Sequence, residues 1–429
     1  MFKALFYFNG CKIFTILTGL LLSLLALSCE KPAEAGTVPD RSTPFTVKEF
    51  IPVTVPKTFK TPVYLHYMPW FESPEYAEYP EKDKGNWGLH WTMANRNPSS
   101  QDASGKRQIA AHYYPLIGPY DNGEPDYLEY AVVCIKLSGA DGVLIDFAGT
   151  TPVYDWKLLL DHTNALLPWL EKAGLNFGIV YEDKALENAF KLGIIADKAK
   201  EAANVMAYMN SNYFSQKNYI TLKNKPVLLN FGPQALFKDA EWMTAFSGIR
   251  DIQFITLPYT KGQYQLSQST DGEFAWVNET VRDNFYLHCS KFPICIGGAM
   301  PGFRDYYQEG GWGNGYPDFA DQGGKLFLQT LERAKKYPID LLQIITWNDF
   351  GEGTMVEPTL EFGYSRLEQL QQFLGVSFSQ KELALAVRLY QKRKALKGKI
   401  QENKILDQVF FYLVSLQIEK AKALLDGLG

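Results

Sequence analysis

Histidine is scarce in this 429-residue chain, and none of its five copies stands in an HExxH pattern or at a closely paired ligand spacing. A catalytic metal is therefore not expected, and no other cofactor is called for. Cysteine is equally sparse: Cys11 and Cys29 fall in the first 29 residues, leaving Cys134, Cys289 and Cys295. That odd number excludes a complete disulfide framework. Cys289 and Cys295 could pair if a strand end and its preceding turn allow it, but apolar Ile294 and Ile296 flank Cys295, so buried free thiols are the favoured expectation. There is no basic excess either. A formal net charge of -4 argues against a nucleic-acid partner. No Gly-x-Gly-x-x-Gly or Walker loop follows the first strand, which removes the usual nucleotide site of an open α/β sheet.

Long apolar runs are missing as well, apart from Ile13 to Leu27, which is too short to span a bilayer comfortably. With Lys3 and Lys12 ahead of it, this run reads as an export signal over residues 1–29. Ala26-Leu27-Ser28-Cys29 allows two outcomes: a lipoprotein signal that leaves an acylated Cys29, or ordinary cleavage at a small-x-small site. The segment resembles bacterial lipoprotein signals, so the first is preferred. The expected protein is exported to the periplasm or cell surface, touches membrane only through its lipid anchor, and is a monomer. Loss of Lys3 and Lys12 takes the net charge from -4 to -6. Residues 30–59 carry Pro32, Pro39, Pro44, Pro52 and Pro56, the composition of an extended tether.

What the chain has in quantity is aromatic side chains, 9 Trp, 25 Tyr and 28 Phe, more flat surface than packing alone requires. It also has a regular alternation of short apolar strands with amphipathic segments. The strands are Val63 to Tyr67, Val143 to Phe147, Phe177 to Tyr181, Val227 to Phe231, Ile252 to Leu257, Phe274 to Val277, Ile294 to Ile296 and Leu341 to Trp347. Helical periodicity marks Asp155 to Ala173, Asp197 to Asn210 and Lys325 to Lys336. Eight such repeats predict an α/β fold, a (β/α)8 TIM barrel over residues 60–363. Residues 364–429 read as a C-terminal helical extension. Ser379 and Glu382 form a capping box, Leu383, Val387 and Tyr390 form an apolar face, and a second helix over Ile405 to Leu425 completes a hairpin.

Barrel active sites lie where the strands end. Here those ends carry Asp146, Glu182, Asp183, Asn230, Asn348 and Asp349. Asp183 alone is readable as a helix N-cap. Asp349 and Glu352 are three apart, and the flexible Gly351 and Gly353 let the backbone aim both carboxyls at one point, as acid/base work on a glycosidic bond requires. The first strand leads to Tyr67-Met68-Pro69-Trp70-Phe71, and a later stretch of the same loop reads Trp87-Gly88-Leu89-His90-Trp91. Trp70, Trp87, Trp91 and His90 are expected to line a cleft.

These segments, with Pro301-Gly302-Phe303-Arg304-Asp305 and Trp347-Asn348-Asp349-Phe350-Gly351-Glu352-Gly353-Thr354 followed by Glu357-Pro358, resemble glycoside hydrolase family 99, the endo-α-mannosidases. The likeness runs over most of residues 61–360. Trp347 to Glu352 is closer to glycoside hydrolase family 71, the α-1,3-glucanases, because Asp349 stands where the mannosidases have Glu and Phe350-Gly351 where they have an aromatic-His pair. The resemblance implies an exported hydrolase of an α-linked glycan, with an α-mannan type favoured, Glu352 the general acid and Asp349 the base. A base acting on the sugar's own 2-hydroxyl gives retention, as in family 99. One acting on water gives inversion, as in family 71, and the shorter Asp349 favours water. Substrate contacts are expected from Tyr67, Trp70, Trp87, His90, Trp91, Asp146, Glu182, Tyr259, Arg304, Trp347 and Asn348, with Tyr181 and Trp276 also near strand ends. The alternatives are an α-1,3-glucanase-like inverting hydrolase and a catalytically silent glycan-binding lipoprotein.

Overall fold

The computed structural model describes residues 45–74, 76, 87–249, 251–258 and 269–428. The export signal, Cys29 and Tyr259 lie outside the described residues. The strands are β1 (Val63–Tyr67), β2 (Gly142–Phe147), β3 (Asn176–Tyr181), a two-residue β4 (Thr221–Leu222), β5 (Lys225–Asn230), β6 (Gln253–Thr256), β7 (Gly272–Phe274), β8 (Ile294–Ala299) and β9 (Leu341–Ile344). β4 pairs antiparallel with β5 alone. The other eight are parallel and close on themselves, β3 pairing with β5 across the short β4 and β9 returning to β1. This is the (β/α)8 barrel that the alternation predicts.

The strands form because they are continuous apolar runs that suit a sheet covered on both faces. Every residue of β1 and β2 is buried. Tyr64, Leu144, Val180, Leu229, Ile255 and Ile296 are among those that fill the barrel interior. Intervening residues such as Leu65, Ile145 and Phe177 pack outward against the helices. Gly142 marks the tightest strand approach, with φ at 156° and a built Cβ only 1.8 Å from the Asn176 carbonyl oxygen, so no other residue fits.

Among the helices, Trp156–Ala173 ends at left-handed Gly174, and Lys198–Asn212 starts at Asp197, whose carboxylate accepts from the N–H groups of Ala199 and Lys200. The last strand stops at Ile344, three residues short of expectation. Beyond it Thr346 N–H bonds Thr354 O at 3.0 Å, so the backbone turns back on itself, while Trp347 N–H still reaches His66 O of β1 at 2.6 Å. β7 likewise stops at Phe274, and Val277 opens the helix Val277–Thr280.

Three expectations are corrected. The second tail helix is two, Ile400–Val414 and Ile418–Gly427, because Leu416 takes φ 59° between them. Residues 45–59 are extended but packed: Val53 N–H bonds Val414 O at 3.0 Å, and Gln408 exchanges two hydrogen bonds with the Lys48 backbone. Proline prevents this segment from coiling, and the N–H groups of Val53, Thr58 and Phe59 find the carbonyls of Val414 and Leu374. It is a strap across the tail helices. Third, Cys289 and Cys295 are bonded to each other, since the turn between the helix Asp283–Cys289 and β8 brings their Cα atoms to 5.3 Å. Cys134 remains a buried thiol.

The tail helix Gln380–Ala395, which does begin with the Ser379–Glu382 capping box, packs on the barrel helix Pro125–Leu137. Arg393 clamps buried Glu129 through both carboxylate oxygens, at 2.7 and 2.9 Å, and also reaches Asp407 at 2.7 Å. Breaking such a recessed pair strands a charge, so Arg393→Ala is expected to cost about 3 kcal/mol in urea unfolding. The double change Glu129→Met with Arg393→Met should recover most of that loss. A single variant as stable as the parent would show that the tail is held by apolar contact alone.

Candidate active site

Beyond β9 the backbone folds back on itself, and hydrogen bonds within the turn, to the end of β1 and to the loop after β8 fix it. Asp349 N–H bonds Thr346 Oγ1 at 2.8 Å, and that hydroxyl lies 3.0 Å from Thr354 Oγ1. The Asn348 amide accepts from Met68 N–H at 2.8 Å and donates to Met68 O at 2.9 Å, which ties the turn to the end of β1. Arg304 N–H bonds Glu352 O and Tyr306 N–H bonds Gly351 O, each at 2.8 Å, so the loop after β8 clamps the other side. Gly353 permits that clamp: its φ is 69°, and a Cβ there would lie 2.7 Å from Arg304 O.

The turn delivers Asp349 and Glu352 to a cavity of about 250 Å³, which Asp146 from β2 and Glu182 beyond β3 also line. Four carboxyls thus share one recess. Asp349 is fixed by its own turn, Oδ1 accepting from Glu352 N–H at 2.9 Å. Glu352 Oε1 accepts from the Tyr307 hydroxyl at 2.9 Å, while its buried Oε2 has no partner among the described residues. Burial pushes the Glu352 carboxyl up to about 7, against the lowering effect of the Tyr307 hydroxyl. Glu182 also rises to about 7, from burial first and then from the charges of Asp183 and Glu352. Burial drives Asp146 and Asp349 upward too, reinforced by Glu182 in the first case and Glu352 in the second. Glu182 and Glu352 therefore retain protons up to near neutral pH.

Aromatic rings make the walls. Trp70 stacks on His90 at 4.1 Å with planes 2° apart, and His90 lies 3.4 Å from the Asp155 carboxylate. On the floor, His66 meets the edge of Trp276 at 4.9 Å. Burial lowers the His66 ring to about 4, so it is neutral. Gln343 donates its amide N–H to Ala275 O and so turns its oxygen to His66 Nδ1 at 3.2 Å. His66 Nδ1 then carries the proton, and Nε2 is left as an acceptor.

Of the residues singled out from the sequence, Trp70, His90, Asp146, Glu182, Trp276, Asp349 and Glu352 meet at this cavity. Others are placed in the core behind it. Tyr67 accepts from Asn122, Trp91 donates to Tyr120 O, and Trp347 donates to the Tyr127 hydroxyl. Trp87 is buried beneath the Arg107 guanidinium, and Asn348 is wholly occupied by Met68 and Tyr120. Tyr181 is buried as well. Arg304 is the opposite case, exposed and 3.8 Å from Asp318, with only its backbone at the site. Asp183 opens the helix Lys184–Lys191 without capping it through its side chain. Its buried carboxylate instead accepts the N–H groups of Gln234, Ala235 and Leu236, which sets Gln234 on the cavity wall.

His66, Tyr307 and Trp312 are cavity residues that strand-end reasoning missed. His66 lies inside β1. The other two lie in the loop after β8, whose sequence signal stopped at Asp305; that residue's carboxylate accepts the N–H groups of Tyr307 and Tyr316 and shapes the loop. The donor set holds no group of three or more ligand-type side chains arranged for a metal among the described residues.

Two solved structures of the family 99 endo-α-mannosidase of Bacteroides thetaiotaomicron are similar to this chain. One, with bis-tris propane bound, has 16% identity and a TM-score of 0.55, with 77% of this chain and 99% of that chain covered. The other has 17% identity and a TM-score of 0.53, covering 79% and 100%. At such identities the likeness is one of fold. No protein-family model matches the chain, and no curated protein does.

The raised carboxyls have a consequence for stability. Glu182 and Glu352 hold protons in the folded chain up to about pH 7, but release them near 4.5 when unfolded. The folded state binds more protons between those values, so stability falls as pH rises through that window. Glu182→Gln should flatten the decline by up to about 3 kcal/mol, measured as urea unfolding at about pH 5 and about pH 8. An unchanged difference between the two pH values would contradict the raised carboxyl.

Proposed function

We propose that this chain is an exported glycoside hydrolase acting on an α-linked glycan, an α-mannan type favoured, with Glu352 as general acid and Asp349 as general base. The observation that carries the reading is Glu352: one oxygen is bound by Tyr307, the other is unpartnered and buried at the cavity, and the carboxyl is raised to about 7 beside a second acid. A proton donor of that kind matches a leaving sugar oxygen at neutral pH. Aromatic walls at Trp70, Trp276 and Trp312 suit the C–H faces of sugar rings. The endo-α-mannosidases that share the fold add the α-mannan preference.

In this mechanism Asp349 takes a proton from a water whose oxygen attacks the anomeric carbon. The carbon–oxygen bond to the leaving sugar breaks, and that oxygen receives the proton of Glu352. The configuration inverts, and one water is consumed. The short Asp349 side chain, held back by its bond from Glu352 N–H, supports water as the nucleophile. Attack by the sugar's own 2-hydroxyl, with net retention, is the other course open to the same two acids. The amino-terminal sequence supports export with a lipid on Cys29, and the Cys289–Cys295 bond suits an oxidising compartment.

The test is incubation of the purified chain with α-mannans and α-1,3-glucans, followed by product chromatography and the product anomer by NMR. Cleavage is expected, and Glu352→Gln should reduce it at least about a hundredfold on unactivated substrates while leaving the fold intact. Binding without cleavage of any α-glycan would replace the hydrolase with a glycan-binding protein. The rate should fall above about pH 7 as Glu352 loses its proton. Tyr307→Phe removes a donor that favours the ionised carboxyl, so it should move that basic limb upward; a limb that stays put would mean that Tyr307 does not tune the acid.

A further inference from the structure

The two segments that wall the cavity through Met93 and Tyr307 also wall a second depression, of about 350 Å³, through Arg96 and Tyr306. Its character is opposite to that of the first. Arg96, Lys106, Arg107 and the ring of His112 line it, and no carboxylate is among its described lining residues.

Neutral groups hold Arg96 in place and also touch Lys106, Arg107 and His112. Arg96 Nε donates to the Tyr306 hydroxyl at 2.7 Å, with the guanidinium 5.2 Å from the Tyr306 ring centre. Arg107 donates to Pro98 O at 3.0 Å and lies 4.9 Å from the Trp87 ring. Lys106 sits 4.7 Å over Tyr114, and His112 bonds Asp305 O at 3.0 Å. Described acids nearby that are off the lining include Glu361 at 3.3 Å from Lys106 and Glu309 at 3.7 Å from His112. Arg96 makes no ion pair with a described carboxylate, so its outer N–H groups keep a planar fork suited to an oxyanion.

The contrast between the two recesses decides what each can take. The ionised base that the mechanism needs at Asp349 repels an anionic substituent from the cavity, and the net charge of the chain is itself negative. An oxyanion on the same molecule is attracted next door, where tyrosine rings also offer a face to a sugar. We propose that this depression is a subsite for an oxyanion-bearing sugar, phosphorylated or carboxylated, belonging to the glycan whose scissile bond lies in the cavity. Its identification of the ligand as a glycan rests on the hydrolase reading.

The test is calorimetric titration of the full chain with a hexose 6-phosphate, a hexuronic acid and the neutral hexose, none of which is consumed by hydrolysis. At least one of the two anions should bind, more weakly as salt is added, and the tighter of the two identifies the substituent. Arg96→Gln should weaken that binding about tenfold or more, and Arg96→Lys, which keeps the charge but not the fork, should bind between Arg96→Gln and the parent, with uptake of the neutral hexose unchanged. Lys106→Gln should give a smaller loss in the same direction. Absence of anion binding, or equal binding by the parent and a folded Arg96→Gln chain, overturns the subsite. The two readings fail separately: neutral α-glycans cleaved without anion binding spare the hydrolase and sink the subsite. Anion binding lost in Arg96→Gln, with no glycan cleaved, does the reverse.

Discussion

The tie between Asn348 and Met68 is the constraint on which the site depends. One amide satisfies both the N–H and the carbonyl of a residue at the end of β1, and so holds the end of β9 against it. From that fixed point the chain can turn at Asp349, and the Thr346–Thr354 contact closes the turn. The loop after β8 then needs only backbone hydrogen bonds to Gly351 and Glu352 to set the second acid. Buried polar groups that are fully paired in this way hold a geometry that loops alone do not.

Once the acids are placed, electrostatics follows from crowding. Burial raises all four cavity carboxyls, and each is raised further by a neighbouring acid. The fold tolerates that cost because the barrel and its tail are well secured elsewhere, through the closed sheet, the Arg393–Glu129 clamp and the strap of residues 45–59. A site that is unfavourable for stability and useful for proton transfer is the expected trade. The basic depression a few residues away extends the same logic, with charge of each sign kept in its own recess.

The sequence made the barrel legible because its evidence is periodic and local. Apolar runs such as Val63 to Tyr67 admit little other than buried strands, and the Asp349–Glu352 spacing is visible without a structure. Direction was less legible. Trp91, Trp347 and Tyr67 sit beside the site in sequence, yet their polar atoms find partners in the core, and nothing in the order of residues says which way an aromatic ring points. Tyr307 and His66 depend on contacts across the fold, to Glu352 and Gln343, that no short window contains. The same holds for the strap, where proline correctly announced extended chain but not its partners on the C-terminal helices.

The central claim is that residue 352 faces the bond to be broken. It is tested most directly by a crystal structure of the Glu352→Gln chain with an α-linked oligosaccharide bound. The account predicts a sugar in the carboxyl-lined cavity, with its glycosidic oxygen within hydrogen-bond reach of the residue 352 side chain and a water or 2-hydroxyl between Asp349 and the anomeric carbon. An oligosaccharide seated elsewhere, or one whose glycosidic oxygen lies out of reach of residue 352, would contradict it.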